Sequence, residues 1–386
     1  MAHTLPDTMS AVLLTGHGGP DRLELRADVA VPTPAPGEVL VEVTATAKNN
    51  TDRKAREGLY PTKDATDTTS FAIGGSPTLA FPRIQGADIV GRVAAVGPGV
   101  DAARIGERGL LDFNIYAGDE RDINLMPDYY GHGADGGFAE YVAVPADQFH
   151  AVDNPALADA ELAAMGMCSY QTAYHMLTQA EVGAGDRVLV TGASGGVGTA
   201  LIQLCRIIGA VPYALSTADK RDALLALGAA HVFDRHESGD LVAAVREATG
   251  GAPLDAVMDL VGGTSTARFI EAMTFDMARR TSYPRLSIAG ASEDNVSTLL
   301  WTVIYLYQVR IFGVSHGTRA EAEQLVAWIR QGQLRPVLHG TFRLSEIQAC
   351  EHYFVNRARG YLGKIVVVPD AQWARHGAPF AVTNAA

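Results

Sequence analysis

Between Arg187 and Leu204 the chain reads RVLVTGASGGVGTALIQL, an apolar run that passes into a helical pattern through a turn holding Gly192, Gly195, Gly196 and Gly198. Residues of these types at this spacing suit the binding of a pyrophosphate. Bare backbone N–H groups can reach the anion where no Cβ intervenes, and the positive end of the helix dipole lies behind them. In the G-x-G-x-x-G register the first position is Ala193, followed by Gly195 and Gly198. Ala193, Ser194, Gly195, Gly196 and Val197 are therefore the residues expected at a dinucleotide. Val188, Leu189 and Val190 form the strand that feeds the turn, and Val197, Leu201, Leu204, Cys205 and Ile208 recur on one helical face. Strand and helix are both half-buried on this reading.

The elements that must position this turn follow from the rest of the pattern. After RVLVTG come VPYALS, HVFD, AVMDLVG, RLSIAGA and VRIFGVS, separated by helical stretches such as DKRDALLALGA and GDLVAAVREATG. Strands alternating with helices predict a parallel, doubly wound α/β sheet whose ligand lies beyond the carboxyl ends of its strands. From about Ala11 to Val152 the style differs, with short β-rich segments between Gly and Pro that predict a mostly antiparallel β domain. Two long polar stretches, 62–79 and 112–137, interrupt it, the second carrying Tyr116, Tyr129 and Tyr130. Loops of this length are expected to be functional, as a substrate lid or a subunit contact. The closing segment, from AEAEQLVAWIRQG to the strand GKIVVV, is expected to return to the first domain, and a cleft between the domains is the expected active site.

Composition narrows the class. At 386 residues the chain is long enough for two domains, and 47% hydrophobic with 19% charged residues is the balance of a globular enzyme. A formal charge of −12 excludes nucleic acid and anionic membrane surfaces as main partners. Cys168, Cys205 and Cys350 are too few for a disulfide framework, which places the chain in a reducing cytoplasm. No apolar run approaches a membrane span, and the first ten residues lack the pattern of a signal peptide.

The blocks NNTDRKAREGLYP, FPRIQGADIVGRVAAVGPGV, DGGFAEYV, DRVLVTGASGGVGTALIQL, LGAAHVFD and the closing GKIVV, in this order, resemble the medium-chain dehydrogenase/reductase superfamily. The likeness is nearest to its zinc-independent quinone oxidoreductase and enoyl reductase branch. It implies a GroES-like β-rich catalytic domain over 1–154 and 316–386, and a Rossmann nucleotide-binding domain over 155–315. A homodimer formed by sheet edges near VRIFGVS is implied as well. Zinc-dependent relatives place a cysteine, a glycine-histidine-glutamate and a second cysteine around their metal. The matching places here are Asn49, Gly86-Ala87-Asp88 and Cys168, so no metal site is expected.

At the end of the second strand, LSTADKRD offers Ser216, Thr217, Lys220 and Arg221, with Asp219 set in the loop. Hydroxyl and cationic donors suit the 2′-phosphate of NADPH, whereas an acid at the strand end would suit NADH. The resemblance implies that Tyr60 in GLYP donates a proton or lines the nicotinamide pocket, and that Asn49 and Asp52 stand beside the nicotinamide. On this reading Asn49 is an amide donor that orients a carbonyl, while Asp52 equally suits a helix start. Thr172 matches a family contact to the cofactor's carboxamide, Gly262, Gly290 and Ser315 fall at strand ends expected to face the nicotinamide, and His132 and His175 fit no pattern. The function expected is hydride transfer from NADPH to a quinone or to the activated C=C of an α,β-unsaturated carbonyl compound. The alternatives are a carbonyl or alcohol oxidoreductase with an atypical metal site, and a weakly catalytic NADPH-binding sensor or structural protein.

Overall fold

The computed structural model describes residues 5–59, 79–116, 128–236, 240–294, 296–356 and 360–382. In chain order, β1 (Thr8–Leu14), β2 (Leu23–Ala30) and β3 (Glu38–Ala47) lead into the short helix α1 (Asn50–Arg56). There follow β4 (Arg83–Ile84), β5 (Asp88–Val96), β6 (Arg108–Leu111), β7 (Asn114–Ile115), β8 (Asp128–Tyr129), β9 (Tyr141–Pro145), β10 (Phe149–Ala151) and α2 (Asp159–Ala164). Helix α3 (Met167–Gln179) carries the chain into β11 (Arg187–Val190), α4 (Gly196–Ile207), β12 (Val211–Ser216), α5 (Arg221–Leu227), β13 (His231–Asp234) and α6 (Leu241–Ala248). Next come β14 (Ala256–Asp259), α7 (Thr266–Thr274), β15 (Arg285–Ile288), α8 (Trp301–Leu306) and β16 (Arg310–Gly313). Four elements close the order: α9 (Arg319–Arg330), β17 (Leu338–Arg343), α10 (Ile347–Asn356) and β18 (Lys364–Val368).

These elements form two compact units, Met1–Cys168 with Thr318–Ala358 and Lys364–Ala386, and Ser169–Gly317 with Arg359–Gly363. In the first, β10, β6, β5, β3, β18 and β17 pair in that order, and β9 joins β3. All these pairs are antiparallel except β17 with β18. Val39, Val41 and Val43 recur at the strand period on β3 and bury against Ile89, Val93, Leu111, Val142 and Phe149. The β-rich reading of the first half therefore holds.

In the second unit six parallel strands run in the order β13-β12-β11-β14-β15-β16. This is the doubly wound arrangement expected from the alternating pattern, with β11 and its glycine-rich turn at the reversal of strand order. The core joins Leu189, Phe233, Val257, Leu286 and Phe269. A strand covered on both faces needs no polar alternation, which is why Val188, Leu189 and Val190 read as one apolar run.

Three stretches differ from the sequence grouping. Residues 316–317 lie in the second unit. Residues 155–168 lie in the first unit, because α2 packs on β3, β5 and β18. Residues 359–363 lie in the second, where Gly363 N–H donates to the carbonyl of Ser194 over 2.8 Å and Gly360 N–H to Asp219 over 3.0 Å. The residues after β18, which no sequence pattern assigned, wind through short helical turns from Asp370 to Phe380. Thr341 Oγ1 donates to the Gly377 carbonyl at 2.7 Å, and the Arg343 guanidinium lies 4.6 Å from the Trp373 ring centre. Among the described residues no helix is long and apolar enough to cross a membrane.

Candidate functional site

In the second unit the chemistry is carried by backbone. Gly192 turns the chain out of β11 at a φ of 55°, a region that a side chain disfavours. A Cβ on Gly198 would stand 2.5 Å from the Gly192 carbonyl oxygen, so only glycine lets α4 pack this closely on its strand. Gly195 has nothing nearer than 3.5 Å to a built Cβ, which leaves an open approach to the turn. The N–H groups of Gly196, Val197 and Gly198 begin α4 and have no preceding turn to bond to. Behind the turn, Asp259 is fully buried and accepts from Thr191 Oγ1 at 2.9 Å, Val261 N–H at 3.0 Å and Gly262 N–H at 3.2 Å. This network ties the ends of β11 and β14 together and holds Gly262 at a φ of 69°.

The remaining cofactor expectations fall around this turn. Ser216 is buried at the end of β12, with Thr217, Lys220 and Arg221 half-buried after it. Asp219 is exposed and turned to Gly360 N–H; a hydrogen bond from Thr217 and then this one hold its carboxyl below the usual range. Arg235 places Nε 3.2 Å from His236 Nε2 on the surface. Gly290 packs against Leu260, Ser315 is exposed beyond β16, and Thr172 is half-buried on α3.

In the first unit sheet register assembles a polar group. Pairing of β3 with β5 sets Ala47 opposite Asp88, and pairing of β18 with β3 sets Val366 opposite Ala47, which brings Lys364 beside both. Asn49, at the start of α1, donates from Nδ2 to the Ala47 carbonyl at 3.1 Å and to Asp88 Oδ2 at 2.9 Å. Lys364 Nζ donates to Asn49 Oδ1 and lies 3.1 Å from Asp88 Oδ2. Cys168 N–H donates to Asp88 Oδ1 at 2.8 Å, and burial, then the charge of Asp88, pushes the Cys168 thiol well above its ordinary pKa. Residues of the three matched blocks, Asn49, Asp88 and Cys168, do meet, with an ammonium among them. Among the described residues no three His, Cys, Asp or Glu side chains are arranged to hold a metal.

Beneath this group lies a buried charge network. Lys48 pairs with Glu351 and lies 3.6 Å from Asp52, while Arg56 reaches Glu351 at 3.2 Å. Asp52 also accepts from Asn49 N–H at 2.7 Å and Gly86 N–H at 3.3 Å, the helix-start role. Burial pushes the Asp52 carboxyl up against the opposing pull of Lys48. For Glu351 burial acts the same way, but Lys48 and then Arg56 overcome it and hold the carboxyl below its ordinary range. Alongside, Thr51 Oγ1 donates to Tyr129 Oη at 2.6 Å, and buried His132 places Nδ1 2.9 Å from Asp128 Oδ1.

Asn49 differs from its expected part, since both hydrogens of its amide are donated within the protein. Tyr60 and residues 62–78 lie outside the described residues, as does 117–127 of the second long loop. Lys364, Lys48 and Glu351 escaped the sequence reading. Lys364 stood in the quoted GKIVV, but nothing local told that β18 would begin opposite Asp88.

Comparison with known proteins matches an alcohol dehydrogenase GroES-like domain over residues 35–154 and a zinc-binding dehydrogenase domain over residues 196–331. A solved structure from Sinorhizobium meliloti, assigned as an alcohol dehydrogenase, is 46% identical, with a TM-score of 0.88 over 95% of this chain and 98% of that one. The alcohol dehydrogenase of Schizosaccharomyces pombe is 28% identical over 86% of this chain and 91% of its own length. The quinone oxidoreductase of Sus scrofa is 26% identical over 93% of this chain and 98% of its own length.

Glu351→Gln leaves Lys48 and Arg56 buried with one carboxylate fewer, and is expected to cost about 3 to 5 kcal/mol of stability at neutral pH. The native carboxyl titrates below its unfolded value, so its contribution is present above about pH 4.5 and fades as the pH falls through the folded pKa. Urea unfolding of both forms at neutral pH and near pH 3.5 checks this. A stability gap that fails to narrow in acid contradicts the assignment.

Proposed function

Because the chain belongs to the medium-chain dehydrogenase/reductase superfamily, as an oxidoreductase dependent on NAD(P), we propose that it is a zinc-independent, NADPH-dependent reductase of a quinone or of the activated C=C of an α,β-unsaturated carbonyl compound. The observation that carries this reading is the Lys364 ammonium seated between Asn49 and Asp88. Zinc, which one matching domain's description names, does not fit these residues. Zn²⁺ in a catalytic site takes three protein ligands, and here an amide stands for a thiolate, Ala87 for an imidazole, and the carboxylate already answers a buried cation. A divalent ion placed there would meet the ammonium as a like charge.

NADPH does fit the second unit. The open turn at Gly195 and the N–H groups that begin α4 suit its pyrophosphate, and Ser216, Lys220 and Arg221 suit its 2′-phosphate. When bound, it supplies the hydride. The protein then has to hold the acceptor, answer the negative charge that develops on its oxygen, and deliver a proton. Lys364 provides a fixed positive charge and locks the Asn49 amide in one orientation. Tyr60 is the proton donor on this reading; a phenol of ordinary pKa near 10 is protonated at neutral pH and protonates the enolate left by hydride addition. The similarity to alcohol dehydrogenases supports the second reading, reduction of a carbonyl or oxidation of an alcohol.

The protein acts as a homodimer in the cytoplasm on this proposal. Strand β16 is an open sheet edge, and beside it Leu300, Trp301, Tyr305 and Leu306 are each more than 60% exposed. An unpaired edge flanked by an apolar patch suits pairing with the same edge of a second copy.

Chelator-treated protein is expected to oxidise NADPH with quinones or enones as acceptors. Turnover only with aldehydes or alcohols after zinc addition would replace the reading by the metal-dependent one, and cofactor binding without any turnover would leave a sensor. Lys220→Ala is expected to weaken NADPH binding about tenfold, the worth of one charge-assisted bond, and leave NADH within about twofold. Fluorescence titration with the two cofactors measures it, and parallel losses would remove the phosphate assignment. Trp301→Asp is expected to shift the protein from dimer to monomer in sedimentation velocity. An unchanged dimer would place the interface elsewhere.

A further inference from the structure

A second polar cavity lies on the seven-stranded sheet of the first unit and shares no residue with the Asn49–Asp88–Lys364 group. Strand register sets Glu42 of β3 opposite Arg92 of β5, and Arg92 opposite Arg108 of β6. Residues paired this way project from one face, so three charged side chains form a row across the sheet. The segment after β18 lies over that row. Gln372 Nε2 donates to Glu42 Oε1 at 2.8 Å, and His376 Nδ1 stands 3.4 Å from Oδ2 of Asp159, the first residue of α2. Between them is a cavity of about 700 Å³ lined by Arg92, Arg108, Asp153, Asp159, Arg375 and His376. This is the size of a small-molecule site.

Not every charged group there is bonded within the protein. Arg108 gives Nε to Asp159 Oδ1 at 2.5 Å and its other N–H groups to the carbonyls of Val152 and Leu157, at 3.1 and 2.8 Å. Glu107, also on the wall, is paired with Arg104 at 2.5 Å. Arg92 and Arg375 remain: both are exposed, and neither guanidinium has a hydrogen-bond or ion-pair partner among the described residues. The exposed carboxylate of Asp153 stands near them, and the carboxylate of Glu42, opposite Arg92 on β3, accepts from Gln372. Burial first, and then the charges of Arg375, Arg92 and Arg108, hold His376 below its ordinary pKa against the pull of Asp159, so the field of the arginines converges on one point of the wall. Two guanidinium groups with no bonded partner face one cavity, and an anion between them would take up their free N–H donors.

We propose that this cavity is a binding site for the phosphate or carboxylate group of a small acidic molecule, with Arg92 and Arg375 as the pair that grips it. The C-terminal segment forms its wall. Because neither guanidinium holds a structural bond, each can be removed without unmaking the fold.

The test is calorimetric titration of the whole protein with inorganic phosphate and, separately, with malonate, at constant ionic strength. Saturable binding of at least one anion is expected, weakened about tenfold or more in Arg92→Ala and in Arg375→Ala and changed by less than about twofold in Lys220→Ala. Preference for phosphate assigns the site to phosphate esters, and preference for malonate to carboxylic acids. No saturable binding of either anion overturns the proposal. So does binding lost in Lys220→Ala but kept in both arginine variants, since the anion then sits in the second unit.

Discussion

A charge taken out of water must be answered within hydrogen-bond reach, and the first unit is built around that requirement. Lys48, Arg56 and Lys364 are buried cations, and Asp52, Asp88 and Glu351 are buried carboxylates within reach of them. They are drawn from α1, β5, α10, β18 and the link between β3 and α1, so no one element forms the group alone. Once these partners are together, Asn49 has little freedom left. Its oxygen is held by an ammonium and both hydrogens of its amide by acceptors, one on Asp88 and one the carbonyl of Ala47.

The second unit solves a different problem by different means. There the ligand-facing groups are backbone N–H donors, whose direction depends on the path of the chain rather than on side-chain partners. That path is set by the left-handed turn at Gly192, the close packing at Gly198 and the buried Asp259 that gathers the ends of β11 and β14. The short return segment at Gly360 and Gly363 supports the same turn from the far end of the sequence. Its chemistry is therefore general to a dinucleotide.

Relatives named for alcohol and for quinone substrates match this chain over most of its length, so the common fold does not separate those chemistries. At the Asn49–Asp88 group this chain has an amide, an alanine and a buried lysine, a donor set with a fixed ammonium in its midst.

Much of this architecture was legible in the sequence. Periodicity and glycine spacing foretold the six parallel strands, the β-rich first half and the turn after β11, since each depends on local patterning that a one-residue slip would ruin. The places matched to zinc ligands could be read as Asn49, Gly86-Ala87-Asp88 and Cys168 for the same reason, as they sit in recognisable local blocks. Tertiary structure alone decided that Lys364 enters their midst, that Glu351 answers Lys48 from 303 positions further along the chain, and that the residues after Val368 cross back over the sheet beside Arg92. The physical reason is common to all three. Local patterns record which face of an element is buried, whereas a charge's partner is chosen by sheet register and chain return, which no short window of residues contains.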